Sequence, residues 1–175
     1  MKITKKQLAT VMQKAGIARI DKYLPVINEW ADKFGITTPL RMAHYLAQIA
    51  HESAELKYTK EIASGRAYEG RRDLGNTHKG DGERYKGRGL IQITGRANYT
   101  AYKEFCGYDV VSRPELLEQP LGAVKSSMWY WQRKGLNELA DKDDLATITK
   151  RINGGMNGYA SRRIFLIKAK KSLNA

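Results

Sequence analysis

The sequence is organised around residues 38–52, which read TPLRMAHYLAQIAHE. Thr38 followed by Pro39 predicts the start of a helix, because threonine caps free amides and proline suits the first helical position. The apolar residues that follow recur at helical spacing. They form one stripe made of Leu40, Ala43, Leu46, Ala47 and Ala50, widened by Ile49. This helix leads directly into His51 and Glu52.

The rest of the chain also has mainly helical patterns. Further helices are predicted from Leu8 to Ala15, Tyr23 to Phe34, Pro120 to Gly135, Leu145 to Ile152 and Ser161 to Leu173. Residues 64–89 are rich in glycine and charge, which predicts a long loop with at most a small β-hairpin, and loops of this length are usually functional. Residues 90–94 are predicted as either a short strand or a helix start. We therefore expect a mainly α fold in a single domain, 1–175.

Composition restricts the partners and the compartment. The 175 residues carry a formal charge of +13, which attracts polyanions such as nucleic acid or bacterial envelopes. No apolar run approaches the roughly 20 residues of a membrane span, and the basic N-terminus lacks the apolar core of a signal peptide. Cys106 is the only cysteine, so no intrachain disulfide forms and a reducing compartment is expected. These features predict synthesis in the cytoplasm.

Two carboxylates lie close in sequence, Glu52 and Glu61. Glycosidic bond hydrolysis uses such a pair, in which one carboxyl group protonates the leaving oxygen and the other activates water or attacks the sugar. Glu52 follows an apolar helix, where partial desolvation suits a general acid. On one straight helix, nine residues would place Glu61 on the opposite face and roughly 13.5 Å along the axis. The two can therefore face one cleft only if the helix ends between them and the chain turns back.

Spacing alone leaves other candidates for the second carboxylate: Glu55, Glu69, Asp73 and Glu83. A zinc site is not expected, because His51-Glu52 lacks the second histidine of a zincin motif and the chain has only three histidines. The segment Gly87-Arg88-Gly89 is not a phosphate loop, because no Gly-Lys-Ser/Thr follows it. Trp131 is predicted as a core residue, although Trp129, Tyr130 and Trp131 together are also able to stack on sugars.

Several motifs, taken in order, resemble one enzyme family. They are 50–53 (AHES), 86–94 (KGRGLIQIT), 98–99 (NY), 128–131 (MWYW) and 148–155 (ITKRINGG). This series is similar to glycoside hydrolase family 19, which includes plant and bacterial chitinases and chitinase-like phage endolysins. The similarity extends over about residues 40–173. Several motifs in the right order are more specific than any one of them.

The resemblance implies a lysozyme-like, two-lobed helical fold around a central cleft, and an inverting mechanism without metal or cofactor. Glu52 matches the general acid of the family, and Glu61 is similar to its general base. Thr94 matches the residue that helps to hold the nucleophilic water. Gln92, Asn98, Lys125 and Asn153 match positions that line the sugar sites, and Arg162 corresponds to an arginine that pairs with the acid. Asn157 departs from the pattern, because plant chitinases have a glutamate there.

These observations favour an endolysin that hydrolyses the β-1,4 bonds of peptidoglycan, acting as a monomer held on the anionic envelope by its charge. The small size and the positive charge fit the phage branch of the family better than a secreted chitinase. A chitinase acting on chitin oligomers is the nearest alternative, and a lytic transglycosylase would need only one catalytic acid. A non-enzymatic basic protein that binds wall polymer or nucleic acid is a more remote alternative, and no nucleic-acid function is expected.

Overall fold

The computed structural model describes all 175 residues, and helices dominate it. The α-helices are α1 (Lys5–Val11), α2 (Ile17–Trp30), α3 (Pro39–Glu52), α4 (Asp81–Arg84), α5 (Arg96–Cys106), α6 (Pro120–Arg133), α7 (Leu136–Asp141), α8 (Leu145–Asn153) and α9 (Tyr159–Leu173). Short 3-10 turns cover Asp32–Phe34, Arg66–Tyr68, Arg72–Leu74 and Pro114–Glu118. There is no β-strand, and only two isolated bridges occur, Lys60 with Arg88 and Arg88 with Ile93. The predicted mainly α fold is confirmed.

The chain divides into two compact units. The first consists of residues 1–57 and 128–175, and the second consists of residues 58–127. Within the first unit, α3 packs against α1, α7 and α9. All nine residues from Met42 to Ala50 are buried, so this helix forms the centre of the unit. The single catalytic domain over residues 1–175 stays a prediction.

Helix α3 begins as its sequence predicts. The Thr38 side chain accepts a hydrogen bond from the Arg41 amide at 3.2 Å, and Pro39 occupies the first turn. Trp131 is fully buried, and its indole donates to Asn137 Oδ1 at 2.8 Å. The Asn137 amide in turn donates to the Phe34 carbonyl at 3.0 Å. The predicted core position of Trp131 is therefore confirmed.

Four local predictions were wrong. The first helix, predicted from Leu8 to Ala15, runs from Lys5 to Val11, because Thr4 and Gln7 form a capping box that starts it earlier and Met12 ends it. Helix α2 begins at Ile17 rather than Tyr23, because Gly16 takes a φ of +73° that breaks the preceding segment and starts the helix. It ends at Trp30, and the chain continues to Gly35 as a 3-10 turn. Residues 90–94 are neither strand nor helix, since Gly95 (φ +89°) delays the next helix until Arg96.

The basic C-terminal helix α9 is a docked element. Its inner face buries Arg162, Leu166, Ala169 and Leu173, while Ile164 and Ile167 remain exposed on the outside. None of the helices combines the length and the apolar composition that a transmembrane span requires.

We predict that Thr38→Ala lowers the free energy of unfolding by about 1 kcal/mol, because the first turn of α3 loses its side-chain cap. Urea denaturation followed by circular dichroism measures the change. Thr100→Ala, which removes the same atoms at an exposed position inside α5, is the matched control and should not destabilise the protein. Equal losses in the two variants would contradict the capping role.

Candidate active site

Glu52 is the last residue of α3, and it meets α9 through a single ion pair. Its Oε1 accepts a hydrogen bond from Nη2 of Arg162. The Glu52 side chain is 21% exposed, whereas Arg162 is completely buried. The carboxyl group is thus fixed on its inner side by a cation and remains open to solvent on the other.

Arg162 has an unusual environment for a buried charge. Its Nη1 donates to Gln48 Oε1 at 2.5 Å, but its Nε and the Nε2 of Gln48 have no hydrogen-bond partner. Glu52 is therefore the only carboxylate that balances this guanidinium. A buried charge without a counter-ion is strongly destabilising, so Glu52 has a structural role as well as its predicted catalytic one. Asn157 is exposed, and no ion pair of Glu52 or Arg162 involves it.

His51 packs against the chain that leads into α9. Its Nδ1 lies 3.0 Å from Ser161 Oγ. Gly158, at φ +75°, lies so close to the ring that an added Cβ would stand 2.3 Å from Cε1 and Nε2. Burial, and secondarily the Arg162 charge, lower the pKa of His51 below its usual range. The neutral imidazole is thus a packing partner next to Glu52, as expected for a helix-end residue.

The helix ends directly after Glu52. Ala54, Glu55 and Leu56 follow with φ values of +48°, +57° and +67°. The buried Ser53 hydroxyl supports this left-handed turn by donating to the Ile49 carbonyl at 2.5 Å and accepting from the Leu56 amide at 2.8 Å. The chain therefore changes direction before Glu61.

Glu61, in the second unit, accepts two hydrogen bonds. Tyr68 Oη donates to its Oε1 and the Gly87 amide donates to its Oε2, each at 3.0 Å. The Glu61 amide also donates to the Gly87 carbonyl at 2.9 Å. Glu61 is therefore held by both its backbone and its side chain on the Gly-rich segment.

The four other candidate carboxylates have structural partners. Glu55 accepts from the Lys14 amide at 2.6 Å. Glu69 accepts from the amides of Gly80 and Gly82. Asp73 and Glu83 are exposed and pair with Arg71 and Arg66. Unlike Asp73 and Glu83, Glu61 has no cationic partner, and its role as general base stays a prediction.

Gln92, Thr94 and Asn98 follow on the same segment of the second unit. The Gln92 side chain packs on Gly87, where an added Cβ would lie 2.5 Å from its Oε1. Thr94 is half-buried, and its carbonyl accepts from the Asn98 amide group at 2.8 Å. The structure thus brings Gln92 next to the backbone that holds Glu61, and Asn98 next to Thr94.

Lys125 and Asn153 lie in different surroundings. Lys125 is buried in α6, with its Nζ 5.4 Å from the centre of the Tyr108 ring. It lines an apolar cavity of about 130 Å³ in the second unit. Asn153 is the exposed last residue of α8. Their predicted sugar-binding roles, like those of Gln92 and Asn98, stay predictions.

Sequence reasoning missed three residues that shape these sites: Gln48, Tyr68 and Gly158. Gln48 lies one helical turn before Glu52, so the i, i+4 spacing was a usable signal. Gly158 is distant in sequence from His51, and Tyr68 follows Glu61 by seven residues in an irregular segment, so no helical or strand periodicity identifies either. The structure contains no group of three or more His, Cys, Asp or Glu residues placed to hold a metal ion.

Comparison with known sequences places these features in context. Residues 37–147 match the family described as chitinase class I. A glycosyl hydrolase family 19 domain-containing protein of Haemophilus influenzae is 33% identical, in an alignment that covers 78% of this chain and 82% of that protein. An endochitinase of Arabidopsis thaliana is 33% identical over 76% of this chain but only 46% of its own length. The chain therefore spans less than half of that plant enzyme.

Solved structures show the same fold. Chitinase C from Streptomyces griseus superposes with a TM-score of 0.78 at 21% identity, covering 99% of this chain and 77% of that one. A class IV chitinase of family 19 from Zea mays superposes with a TM-score of 0.77 at 20% identity. This superposition covers 99% of this chain and 93% of the maize chain. The predicted lysozyme-like helical fold of this type is confirmed.

The contact between Gly158 and His51 generates a prediction with an internal control. Gly158→Ala and Gly154→Ala both place a side chain at positive φ, but the Cβ at 154 meets nothing within 4 Å. Both variants should lose about 1 kcal/mol of stability from the backbone. Gly158→Ala should lose more and displace His51, and thermal unfolding with NMR of the imidazole signals measures both effects. Equal destabilisation of the two variants would contradict the packing role of His51.

Proposed function

The chain belongs to glycoside hydrolase family 19 and is a glycosidase, and we propose that it is a phage-type endolysin that cleaves the β-1,4 bonds of bacterial peptidoglycan. Family membership indicates a glycan polymer as the substrate. In this proposal the protein is made in the host cytoplasm and acts as a monomer on the wall after release.

The charge distribution is the observation that carries the choice of peptidoglycan. The first unit contains 19 Lys and Arg residues and 9 Asp and Glu residues, which gives a net charge of +10. The second unit contains 12 Lys and Arg residues and 9 Asp and Glu residues, which gives a net charge of +3. Chitin is an uncharged polymer and gains nothing from such a field. A bacterial envelope is anionic and attracts it. The charge thus supports a substrate embedded in an anionic surface.

Glu52 serves as the general acid in the proposed mechanism. Its open side faces solvent while Arg162 holds its inner oxygen. In the protonated state it donates its proton to the glycosidic oxygen as the bond to the anomeric carbon breaks. Arg162 then stabilises the carboxylate that this transfer leaves behind.

Glu61 serves as the general base on the opposite face of the sugar. Tyr68 and Gly87 fix its two oxygens, so the carboxylate keeps one orientation while it removes a proton from water. Thr94 helps to orient that water. The water oxygen bonds to the anomeric carbon and inverts its configuration. Gln92, Asn98, Lys125 and Asn153 hold the sugars on either side of the cut.

A true chitinase is the second candidate. The printed names of the Arabidopsis relative and of both structural neighbours favour it, since they are described as an endochitinase and as chitinases. The same carboxylates would perform the same chemistry on N-acetylglucosamine polymers. The two candidates differ only in the polymer.

Product analysis tests the proposal. Wild-type protein is incubated with purified peptidoglycan and with chitin oligomers, and mass spectrometry identifies the new reducing ends. We expect ends of N-acetylmuramic acid from peptidoglycan, with inverted anomeric configuration in fresh products by NMR. Cleavage of chitin oligomers without cleavage of peptidoglycan would contradict the endolysin proposal. Anhydro-sugar ends would indicate a transglycosylase.

The carboxylates are tested by amide substitution. Glu52→Gln and Glu61→Gln should each lower kcat by about 10²- to 10⁴-fold, the usual contribution of general acid–base catalysis. Glutamine at 52 retains an oxygen that accepts from Arg162, and circular dichroism checks that each variant folds. Glu104→Gln, at an exposed position of α5, is the matched control and should be fully active. Full activity of Glu61→Gln would remove it from the mechanism.

A further inference from the structure

The second unit contains a polar cavity that the proposed mechanism does not use. Its volume is about 460 Å³. Its lining includes three cationic side chains, Lys79, Arg84 and Arg96, and one acidic side chain, Asp81. The number and type of these charges indicate an anionic ligand.

Asp81 does not cancel the positive charge of Lys79 and Arg84. It is buried, with 2% of its surface exposed, and both its oxygens accept from Arg96, at 2.8 and 2.5 Å. The His78 amide also donates to it at 3.0 Å. The Asp81–Arg96 pair is thus internally neutral, and the cavity has an excess of two positive charges.

The two guanidinium groups are held in place before any ligand arrives. Arg84 Nε and Nη2 donate to the Val111 carbonyl at 3.3 and 3.2 Å, and Nη2 also donates to the Ser112 carbonyl at 2.9 Å. Arg84 and Arg96 lie over the same ring, that of Tyr85, at 5.8 and 4.8 Å from its centre. Both Nη1 groups have no protein acceptor. Little side-chain entropy would be lost when an anion binds to them.

This cavity is close to residues of the candidate site within the second unit. Tyr85 precedes Gly87, whose amide holds Glu61, by two residues. Arg96 follows Thr94 by two residues. Two residues of chain span at most about 7 Å. Tyr85 and Arg96 are therefore separated from residues of the candidate site by no more than this backbone distance.

We propose that this cavity binds a carboxylate of the peptide attached to the glycan strand. This inference rests on the proposed function, because peptidoglycan carries such peptides whereas chitin has neither peptide nor carboxylate. The free Nη1 groups of Arg84 and Arg96, together with the Lys79 ammonium, would supply charge-assisted hydrogen bonds to such a carboxylate. The cavity would then select the peptide-bearing polymer among the β-1,4 glycans that this fold cleaves.

Kinetics on paired substrates test the proposal. Soluble glycan strands of one length class, with their peptides attached, are prepared with the peptide carboxylates free and with these carboxylates converted to amides. The ratio of KM for free-carboxylate strands to KM for amidated strands should rise about fivefold in Lys79→Gln and in Arg84→Gln, the value of one exposed ion pair. Lys22→Gln, which removes one exposed charge from α2, should keep the wild-type ratio. An unchanged ratio in both cavity variants would overturn the proposal.

A binding measurement separates this proposal from the function on which it rests. A synthetic stem tripeptide with free carboxylates is titrated into the wild-type protein, with amide NMR as the readout, and inorganic phosphate is titrated in parallel. Shifts of Tyr85 and Ser112 with the tripeptide, absent in Lys79→Gln, support the carboxylate site even if no glycan is cleaved. Shifts with phosphate alone, or with neither probe, would overturn it.

Discussion

The buried ion pair between Arg162 and Glu52 is the constraint on which the first unit depends. A guanidinium removed from water loses several kcal/mol of hydration, and here a single carboxylate and the Gln48 carbonyl offset that loss. The pair joins the end of α3 to the start of α9. Because Glu52 is also the predicted proton donor, the group that does the chemistry is the one that neutralises the buried cation. The Glu52 side chain therefore contributes both to the stability of the first unit and to the proposed catalysis.

The second unit fixes its carboxylate by different means. Glu61 has no cationic partner and is held by neutral donors, a phenol and a backbone amide. Neutral donors orient a carboxylate without pairing its charge with a full cation. This difference matches the two proposed roles. Glu52, as the general acid, releases its proton and is then a carboxylate beside Arg162, whereas Glu61, as the general base, must accept a proton from water.

The sequence predicted the parts of the structure that depend on local patterns. Thr38, Pro39 and the apolar stripe were sufficient for α3, and the family motifs identified Glu52, Glu61 and Arg162 as candidates. The start of α2 was not predicted, because no local pattern showed that a helix begins directly after Gly16 and continues through Pro25. The contacts of Tyr68 with Glu61 and of Gly158 with His51 arise from tertiary packing, so periodicity could not predict them.

The left-handed turn after Glu52 has a consequence for the evolution of this chain. Three consecutive residues other than glycine adopt positive φ there, and each conformation costs roughly 1–2 kcal/mol for an L-residue. Glu55 and Leu56 offset this cost through buried contacts, but Ala54 is exposed and has no such contact. Glycine or asparagine at position 54 would adopt the same φ at a lower cost, and the stability gained would allow this chain to tolerate a destabilising mutation elsewhere.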